Sequence, residues 1–128
     1  MLNKKFILQK LKELNFPKNQ YCVMTGAALV LQGVKECTRD IDIGCSEELF
    51  QSLLKQGYKL QQLKSFEGII MDETIEIFRN WQAENIVYIE DIPVAELCCI
   101  RKYKNDLGRE KDLKDIELID VYLAKMKK

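Results

Sequence analysis

Apolar side chains recur along this chain with two different spacings, one typical of helices and one typical of strands. In five segments they are three or four positions apart, as in a helix that buries one face. These predicted helices cover residues 3–14, 27–32, 47–56, 93–105 and 109–126. Ser46 is a favourable N-cap for the third helix, and Asp91 followed by Pro93 is a typical start signal for the fourth.

Between the predicted helices, short runs rich in β-branched and aromatic residues predict strands. The runs lie at 21–24, 38–43, 58–60, 68–71, 74–78 and 86–89. Helices and strands are interspersed along the whole chain, with no internal repeat, low-complexity tract or linker between them. The pattern therefore predicts one α+β domain over residues 1–128, in which helices cover a single sheet.

The composition argues against several classes of function. Lys and Arg number 20 and Asp and Glu number 20, so the net charge is zero and no overall field attracts nucleic acid or an acidic membrane. No apolar run approaches the roughly 20 residues that span a bilayer, and the N-terminal segment does not resemble a signal peptide. The five cysteines form no CxxC pair, which favours reduced thiols and a cytoplasmic protein.

The chain contains no histidine. This absence excludes Ser-His-Asp and Cys-His catalysis, and it removes the usual ligands of a zinc hydrolase. The groups that remain for chemistry are mainly carboxylates, lysines, backbone amides and a hard cation that oxygen atoms can bind.

Two aspartates occupy alternate positions in the predicted strand 38–43. Because strand side chains alternate, Asp40 and Asp42 would point to one face, and Ile41 and Ile43 to the other. Like charges roughly 6–7 Å apart by the strand rise repel each other unless water or a cation neutralises them. Magnesium fits, since one or two carboxylates and substrate phosphates commonly hold it. The alternative is an edge strand whose acidic face is simply hydrated. For an Asp-x-Asp motif taken alone, this alternative is the favoured interpretation.

A tight turn precedes this strand. Thr25 and Gly26 lie between the predicted strand 21–24 and the predicted helix 27–32, where uncapped amide groups and the helix dipole can bind an anion. Gly26 would let the backbone approach a phosphate closely. An ordinary strand-to-helix turn explains the same residues when they are taken alone, and the aspartate pair that follows makes the phosphate interpretation more specific.

A third carboxylate would complete such a site. Glu76 alternates with Ile75 and Ile77, as the aspartates alternate with isoleucines, and it could converge on them from a neighbouring strand. Three carboxylates can hold two cations for an in-line displacement at phosphorus. Asp72 and Glu73 are alternatives, but they lie in a predicted turn, where acidic residues are common, so Glu76 is preferred.

The runs TGAAL, LQG and TRDIDI, in this order, resemble the signature of the nucleotidyltransferase-like superfamily. In that signature, a Gly-Gly or Gly-Ser turn precedes a strand that bears Asp-x-Asp. The segment from Lys102 to Asp115, which contains REKDLKD, is similar to the Lys…Arg-x-Lys-Asp-x-x-Asp stretch of the abortive-infection type and related small nucleotidyltransferases. The resemblance spans roughly residues 20–120, and it implies a mixed sheet of about four to six strands flanked by helices.

The resemblance also implies an activity, the transfer of a nucleoside monophosphate from a nucleoside triphosphate, with ATP as the expected donor, to an acceptor. The implied magnesium ligands and catalytic residues are Asp40, Asp42 and Glu76. The implied nucleotide-binding residues are Thr25, Gly26, Arg39, Lys102, Arg109 and Lys111. Asp112 and Asp115 would orient the lysines or act on the acceptor, or they would form ordinary ion pairs on a hydrated helix face.

The chain departs from the family pattern in three respects. Thr25 stands at the position of the first glycine, Gly26 replaces the frequent serine, and the third acid is Glu76 where Asp is more common. No sign of the extra helical domain that many members use to bind an acceptor is expected in these residues, which leaves little surface for tRNA or a large protein and favours a small acceptor, a homo-oligomer neighbour or degenerate activity. The expected acceptor is a small molecule, or a protein partner as in toxin-antitoxin systems. The alternative function is a catalytically weak or inactive module that acts by binding a partner, as the antitoxin of a toxin-antitoxin pair does.

Overall fold

The computed structural model describes residues 1–127, and in this range the chain forms nine strands and five helices. The strands are β1 (Leu2–Asn3), β2 (Tyr21–Met24), β3 (Cys37–Thr38), β4 (Ile41–Cys45), β5 (Gln61–Leu63), β6 (Phe66–Ile70), β7 (Ile75–Arg79), β8 (Ile86–Ile89) and β9 (Ile92–Ala95). The helices are α1 (Lys4–Leu14), α2 (Thr25–Leu31), α3 (Glu47–Lys55), α4 (Leu97–Leu107) and α5 (Glu110–Met126). No helix within residues 1–127 combines the length and the hydropathy that crossing a bilayer requires.

Seven of these strands form one mixed sheet in the order β5-β6-β7-β4-β2-β9-β8, and β1 pairs with β3 in a separate two-stranded sheet. At the centre, β4 runs parallel to β7 and antiparallel to β2, and β2 runs parallel to β9. The predicted α+β class with a mixed sheet is confirmed. The sheet has one strand more than the expected upper number because residues Ile92–Ala95, where the sequence predicts the start of a helix, enter it as β9.

The hydrophobic core lies against one face of the central strands. Ile41 and Ile43 on β4, and Ile75 and Ile77 on β7, are at most 1% exposed. Burial of each such side chain contributes about 1.5–3 kcal/mol. The three N-terminal helices add to the same core, with Leu11, Leu29 and Phe50 among their buried side chains.

Local signals set several helix ends as the sequence predicts. The Ser46 hydroxyl accepts a hydrogen bond from the backbone N–H of Leu49 at 3.2 Å, which caps the start of α3. At the end of α4, Gly108 adopts a left-handed conformation with φ of 63°, and its N–H donates to the carbonyl of Lys104.

The prediction of a helix over 93–105 is wrong in its first part. Residues Ile92–Ala95 form β9, and α4 begins only at Leu97. Glu90 and Asp91, both at positive φ, make the turn that folds β9 back onto β8. The fixed φ of proline suits an extended strand as well as a first helical turn. Pro93 therefore does not show whether a strand or a helix begins at this position.

Two strand predictions also need correction. Residues 58–60 lie outside any strand, and the strand of this region is β5, three positions later. The predicted strand 38–43 is divided into β3 and β4, with Arg39 and Asp40 between them. The break occurs because β3 pairs with β1, whereas β4 enters the main sheet. Asp40 therefore precedes the strand that carries Asp42.

Gly44 on β4 permits a close crossing of backbone over the sheet. A Cβ atom at this position would collide with the carbonyl oxygen of Trp81, so a larger residue could not be accommodated without moving the loop after β7. Because side chains alternate along β4, Gly44 and Asp42 lie on the same face of the sheet. Trp81 is thereby placed on the face that carries Asp42.

Four rings pack together on this face, and we call Phe66, Phe78, Trp81 and Tyr103 the aromatic cluster. The ring centroid of Trp81 lies 5.0 Å from Phe66, 5.2 Å from Phe78 and 4.8 Å from Tyr103. Aromatic pairs at such distances contribute about 0.5–1.5 kcal/mol each beyond the area they bury. The cluster thus ties α4, which carries Tyr103, to the central strands.

Candidate active site

Asp42 and Glu76 lie side by side on two parallel strands. The register of β4 and β7 pairs Asp42 with Glu76, and adjacent strands are about 4.8 Å apart. Their neighbours Ile41 and Ile75 turn into the core, while both acids remain partly exposed on the opposite face. The strand pairing therefore holds two carboxylates next to each other at the surface of the sheet.

The electrostatic environment of this pair disfavours two negative charges. Burial raises the pKa of Asp42, and the nearby charge of Asp40 raises it further, while a hydrogen bond from Thr25 opposes the shift. The pKa of Glu76 is also raised, mainly by burial and to a smaller extent by the negative charges of Asp42 and Asp40. The charge of Asp40 thus disfavours ionisation of both Asp42 and Glu76, and a bound cation would relieve this repulsion.

Thr25 holds the carboxylate of Asp42 through a strained turn. Its φ is 49°, in the left-handed region that costs most residues about 1–2 kcal/mol and is especially unusual for a β-branched one. The Thr25 hydroxyl donates a hydrogen bond of 2.6 Å to Oδ2 of Asp42. At the position where the family signature has glycine, the side chain is therefore directed at an acid of the site.

The start of α2 lies beside this hydrogen bond. No side chain caps α2, so its first-turn amides are not satisfied by an N-cap side chain. A Cβ atom at Gly26 would lie 2.5 Å from Oγ1 of Thr38, which leaves no space for a side chain. Glycine is therefore needed here for packing against the segment that leads into β4.

A group of charges joins α4, the start of α5 and the segment after α2, and we call Lys35, Lys104, Arg109, Asp112 and Asp115 the ion cluster. Lys104, Asp112 and Asp115 are its buried members. Lys104 is 6% exposed, and its Nζ lies 2.9 Å from Asp115 and 3.5 Å from Asp112. Lys35 approaches Asp115 at 3.0 Å, and Arg109 approaches Asp112 at 2.6 Å. Three cations thus surround two carboxylates.

The cations keep Asp112 ionised although its side chain is fully buried. Burial alone would raise the pKa of Asp112, but the hydrogen bonds from Arg109 and the charges of Lys104 and Arg109 outweigh it and hold that pKa below its usual range. The positive charge of Lys104 also favours the ionised form of Asp42. The ion cluster is therefore electrostatically linked to the carboxylate pair.

The sequence predicts Lys102 as a nucleotide-binding residue, and the structure adds Lys104, which that prediction does not include. Lys102 is exposed, whereas Lys104 points inward, because residues two apart on a helix lie on nearly opposite sides. Lys104 follows Leu97 and Ile100 at helical spacing, so it continues the buried stripe of α4. That periodicity was a signal available in the sequence. Arg39 and Lys111 are likewise exposed.

The side chains do not form a ready three-ligand cage. Within residues 1–127, no group of three or more Asp, Glu, His or Cys side chains is arranged to hold a metal ion. The donor chemistry of Asp42 and Glu76 nevertheless suits magnesium, which commonly takes one or two carboxylates and completes its shell with water and phosphate. A cavity of about 760 Å³ lies elsewhere, along α1, and is lined mainly by lysines and Glu90.

We expect Asp42→Asn to stabilise the metal-free protein at neutral pH by about 0.5–2 kcal/mol, the usual range for relief of a strained functional group. Because the pKa of Asp42 is raised in the folded state, its charge opposes folding above that pKa. Below about pH 4, the pKa of an aspartate in the unfolded chain, Asp42 is protonated in both states and its charge no longer opposes folding. The difference in free energy of unfolding between the two proteins should therefore disappear on acidification.

The measurement is urea unfolding of both proteins in EDTA at pH 7.5 and pH 4. Asp106→Asn, at an exposed position of α4, is the matched control and should change the free energy of unfolding by less than about 0.5 kcal/mol. An Asp42→Asn protein less stable than the native protein at pH 7.5 would contradict this account of the site.

We expect Lys104→Ala to lower the free energy of unfolding by about 3 kcal/mol, because it leaves buried carboxylates with fewer partners. Arg109 and Lys35 still bind Asp112 and Asp115, which keeps the loss at the lower end of the range for broken buried pairs. Lys102→Ala on the exposed side of α4 should cost less than about 0.5 kcal/mol. Chemical denaturation compares the two, and equal losses would rule out the buried role of Lys104.

No protein-family model matches this chain, and no curated protein matches it. Solved structures share its fold, including the following two. A nucleotidyltransferase candidate from Thermotoga maritima has a TM-score of 0.60 and 19% identity, and the match covers 98% of this chain and 96% of that chain. The aminoglycoside nucleotidyltransferase ANT(2″)-Ia was solved in complex with adenylyl-2″-tobramycin. Its match to this chain has a TM-score of 0.56 and 15% identity, and it covers 94% of this chain and 87% of that chain. The chain therefore has the nucleotidyltransferase-like fold.

Proposed function

We propose that this chain is a magnesium-dependent nucleotidyltransferase that moves a nucleoside monophosphate from a nucleoside triphosphate, with ATP as the expected donor, to a small-molecule or protein acceptor. The observation that carries the proposal is the register that pairs Asp42 with Glu76 on parallel strands. Burial and the neighbouring acids raise the pKa of both groups, which supports a site where a cation would offset the cost of ionising them. Such an arrangement is typical of a site that binds a cation.

Asp42 and Glu76, with Asp40 beside them, would hold the magnesium. When bound, the ion would neutralise the phosphate charge that develops during transfer. Thr25 keeps the Asp42 carboxylate in one orientation through its hydrogen bond, so this acid is oriented before any ligand arrives. Preorganisation of this kind lowers the reorganisation that the reaction would otherwise require.

The positive groups near the pair would bind the triphosphate. The first turn of α2, which no side chain caps, would present backbone N–H groups beside Thr25. Lys104 and Arg109 would add positive charge from the side of the ion cluster, while Asp112 and Asp115 keep them in position. These tasks of positioning and charge neutralisation need no histidine. The reaction would take place in the cytoplasm, the compartment that the cysteine pattern favours.

A second candidate is a weak or inactive module that acts by binding a partner protein, as an antitoxin does. The observation that favours it is Thr25, whose hydroxyl already occupies one oxygen of Asp42. Together with the lack of a closed three-ligand cage in residues 1–127, this contact would slow metal entry. Under this alternative, Asp42→Asn would leave the cellular effect of the protein unchanged, whereas under the enzymatic function it would abolish that effect.

We expect ATP to stabilise the protein only when magnesium is present, by about 2.7 kcal/mol at a hundredfold excess over Kd. Thermal unfolding with ATP, with and without Mg²⁺, measures this stabilisation. Asp42→Asn and Glu76→Gln should lose it because each removes a charged oxygen ligand, and Asp106→Asn should keep it.

Transfer is then measured as incorporation of label from α-labelled ATP into acceptors, and we expect loss of at least about 100-fold in Asp42→Asn. If no nucleoside triphosphate stabilises the native protein with magnesium, the proposed function is wrong. If nucleotide binds but no label is transferred and Asp42→Asn is harmless in the cell, the partner-binding module is the better account.

A further inference from the structure

We propose that Tyr103, supported by the aromatic cluster, is the wall on which a nucleobase stacks beside the carboxylate pair. This inference rests on the proposed function, because it assigns a subsite to the same ligand chemistry. It concerns only the nucleobase of the ligand, which could belong to the donor nucleotide or to a nucleoside acceptor.

The aromatic cluster begins where the acidic pair ends. Gly44 and Phe78 lie two positions beyond Asp42 and Glu76 on the same strands and on the same face, about 6–7 Å away by the strand rise. Trp81 rests on Gly44 and contacts the ring of Phe78. A ligand whose phosphates lie at the carboxylates would therefore extend along the sheet towards these rings.

Tyr103 is the member of the cluster that borders the site. Trp81 contacts the three other rings, and Phe78 is the buried member of the cluster. Tyr103 is partly exposed, as Trp81 and Phe66 are, and it lies on α4 next to Lys104 of the ion cluster. Burial and the charge of Asp42 raise the pKa of Tyr103, and Arg109 acts in the opposite direction. The phenol thus lies within electrostatic reach of both the carboxylate pair and the ion cluster.

The surrounding charges favour a planar ring over a polycationic ligand. Asp112 and Asp115 are already bound by Arg109, Lys104 and Lys35, so they are not available to ammonium groups of a ligand. A neutral nucleobase needs no such carboxylates, since it binds by contact with an aromatic face. Stacking of one base on an aromatic side chain changes affinity by about 5- to 150-fold.

The test uses the intrinsic fluorescence of Trp81, which is the only tryptophan in the chain. The ligands are ATP, inorganic tripolyphosphate, and adenosine added to tripolyphosphate, each with Mg²⁺. We expect a base-bearing ligand to quench Trp81 emission and tripolyphosphate alone not to do so. Tyr103→Leu, which keeps an apolar side chain of moderate size, should weaken the base-bearing ligand about 5- to 150-fold and leave tripolyphosphate affinity within twofold.

Two further variants separate stacking from folding. Tyr103→Phe keeps the ring and should restore native affinity, and Tyr88→Leu, at a residue that is 60% exposed on the edge strand β8, should change nothing. Quenching by ATP assigns the subsite to the donor base, and quenching only after adenosine is added assigns it to the acceptor.

The inference is overturned if Tyr103→Leu weakens tripolyphosphate and base-bearing ligands equally, or if it weakens none of them. Failure of tripolyphosphate to bind with magnesium would instead count against the proposed function. Titration of adenosine into the native protein and into Tyr103→Leu would still decide whether a base stacks on Tyr103. Failure of this inference can therefore be distinguished from failure of the proposed function.

Discussion

The parallel pairing of β4 with β7 is the constraint on which the rest of the site depends. It buries the isoleucines of both strands in the core, and in doing so it turns Asp42 and Glu76 to the other face as neighbours. Since the side-chain period of a strand is two, a slip of one residue would bury both acids and expose the isoleucines. The hydrophobic core therefore fixes the position of two mutually repelling carboxylates, which a cation would stabilise.

Two supports surround this pair and connect it to the helices. Gly44 allows Trp81 to lie on the sheet, and Trp81 in turn holds Tyr103 of α4. The ion cluster then joins α4 to α5 through Lys104, whose charge also acts on Asp42. Thr25 adds a contact to Asp42 from the turn before α2. Its backbone has a positive φ, and its hydroxyl donates a hydrogen bond to the Asp42 carboxylate. Strain that persists beside a charged group is typical of functional sites.

Local patterns in the sequence predicted what local physics determines. Alternation around Asp42 and Glu76 indicated half-buried strands, and Ser46 indicated a helix start, since both signals act over a few residues. The helix expected from residue 93 was wrong at its beginning because pairing of β9 with β8 and β2, contacts distant in sequence, outweighed an ambiguous proline signal. Lys104 was missed because a lysine on an apolar stripe is buried only when partners such as Asp115 arrive from another helix. The position of Trp81 depends on a crossing over Gly44 that no local pattern reveals.

The most direct test of the central claim is the location of a bound ion. Manganese can replace magnesium in crystals grown with a non-hydrolysable triphosphate, and its anomalous scattering shows its position. We expect a peak between the carboxylates of Asp42 and Glu76, with oxygen atoms at about 2.0–2.1 Å, the distance of a magnesium site. A peak bound elsewhere, with the hydrogen bond from Thr25 to Asp42 intact and Glu76 without a metal contact, would contradict the claim.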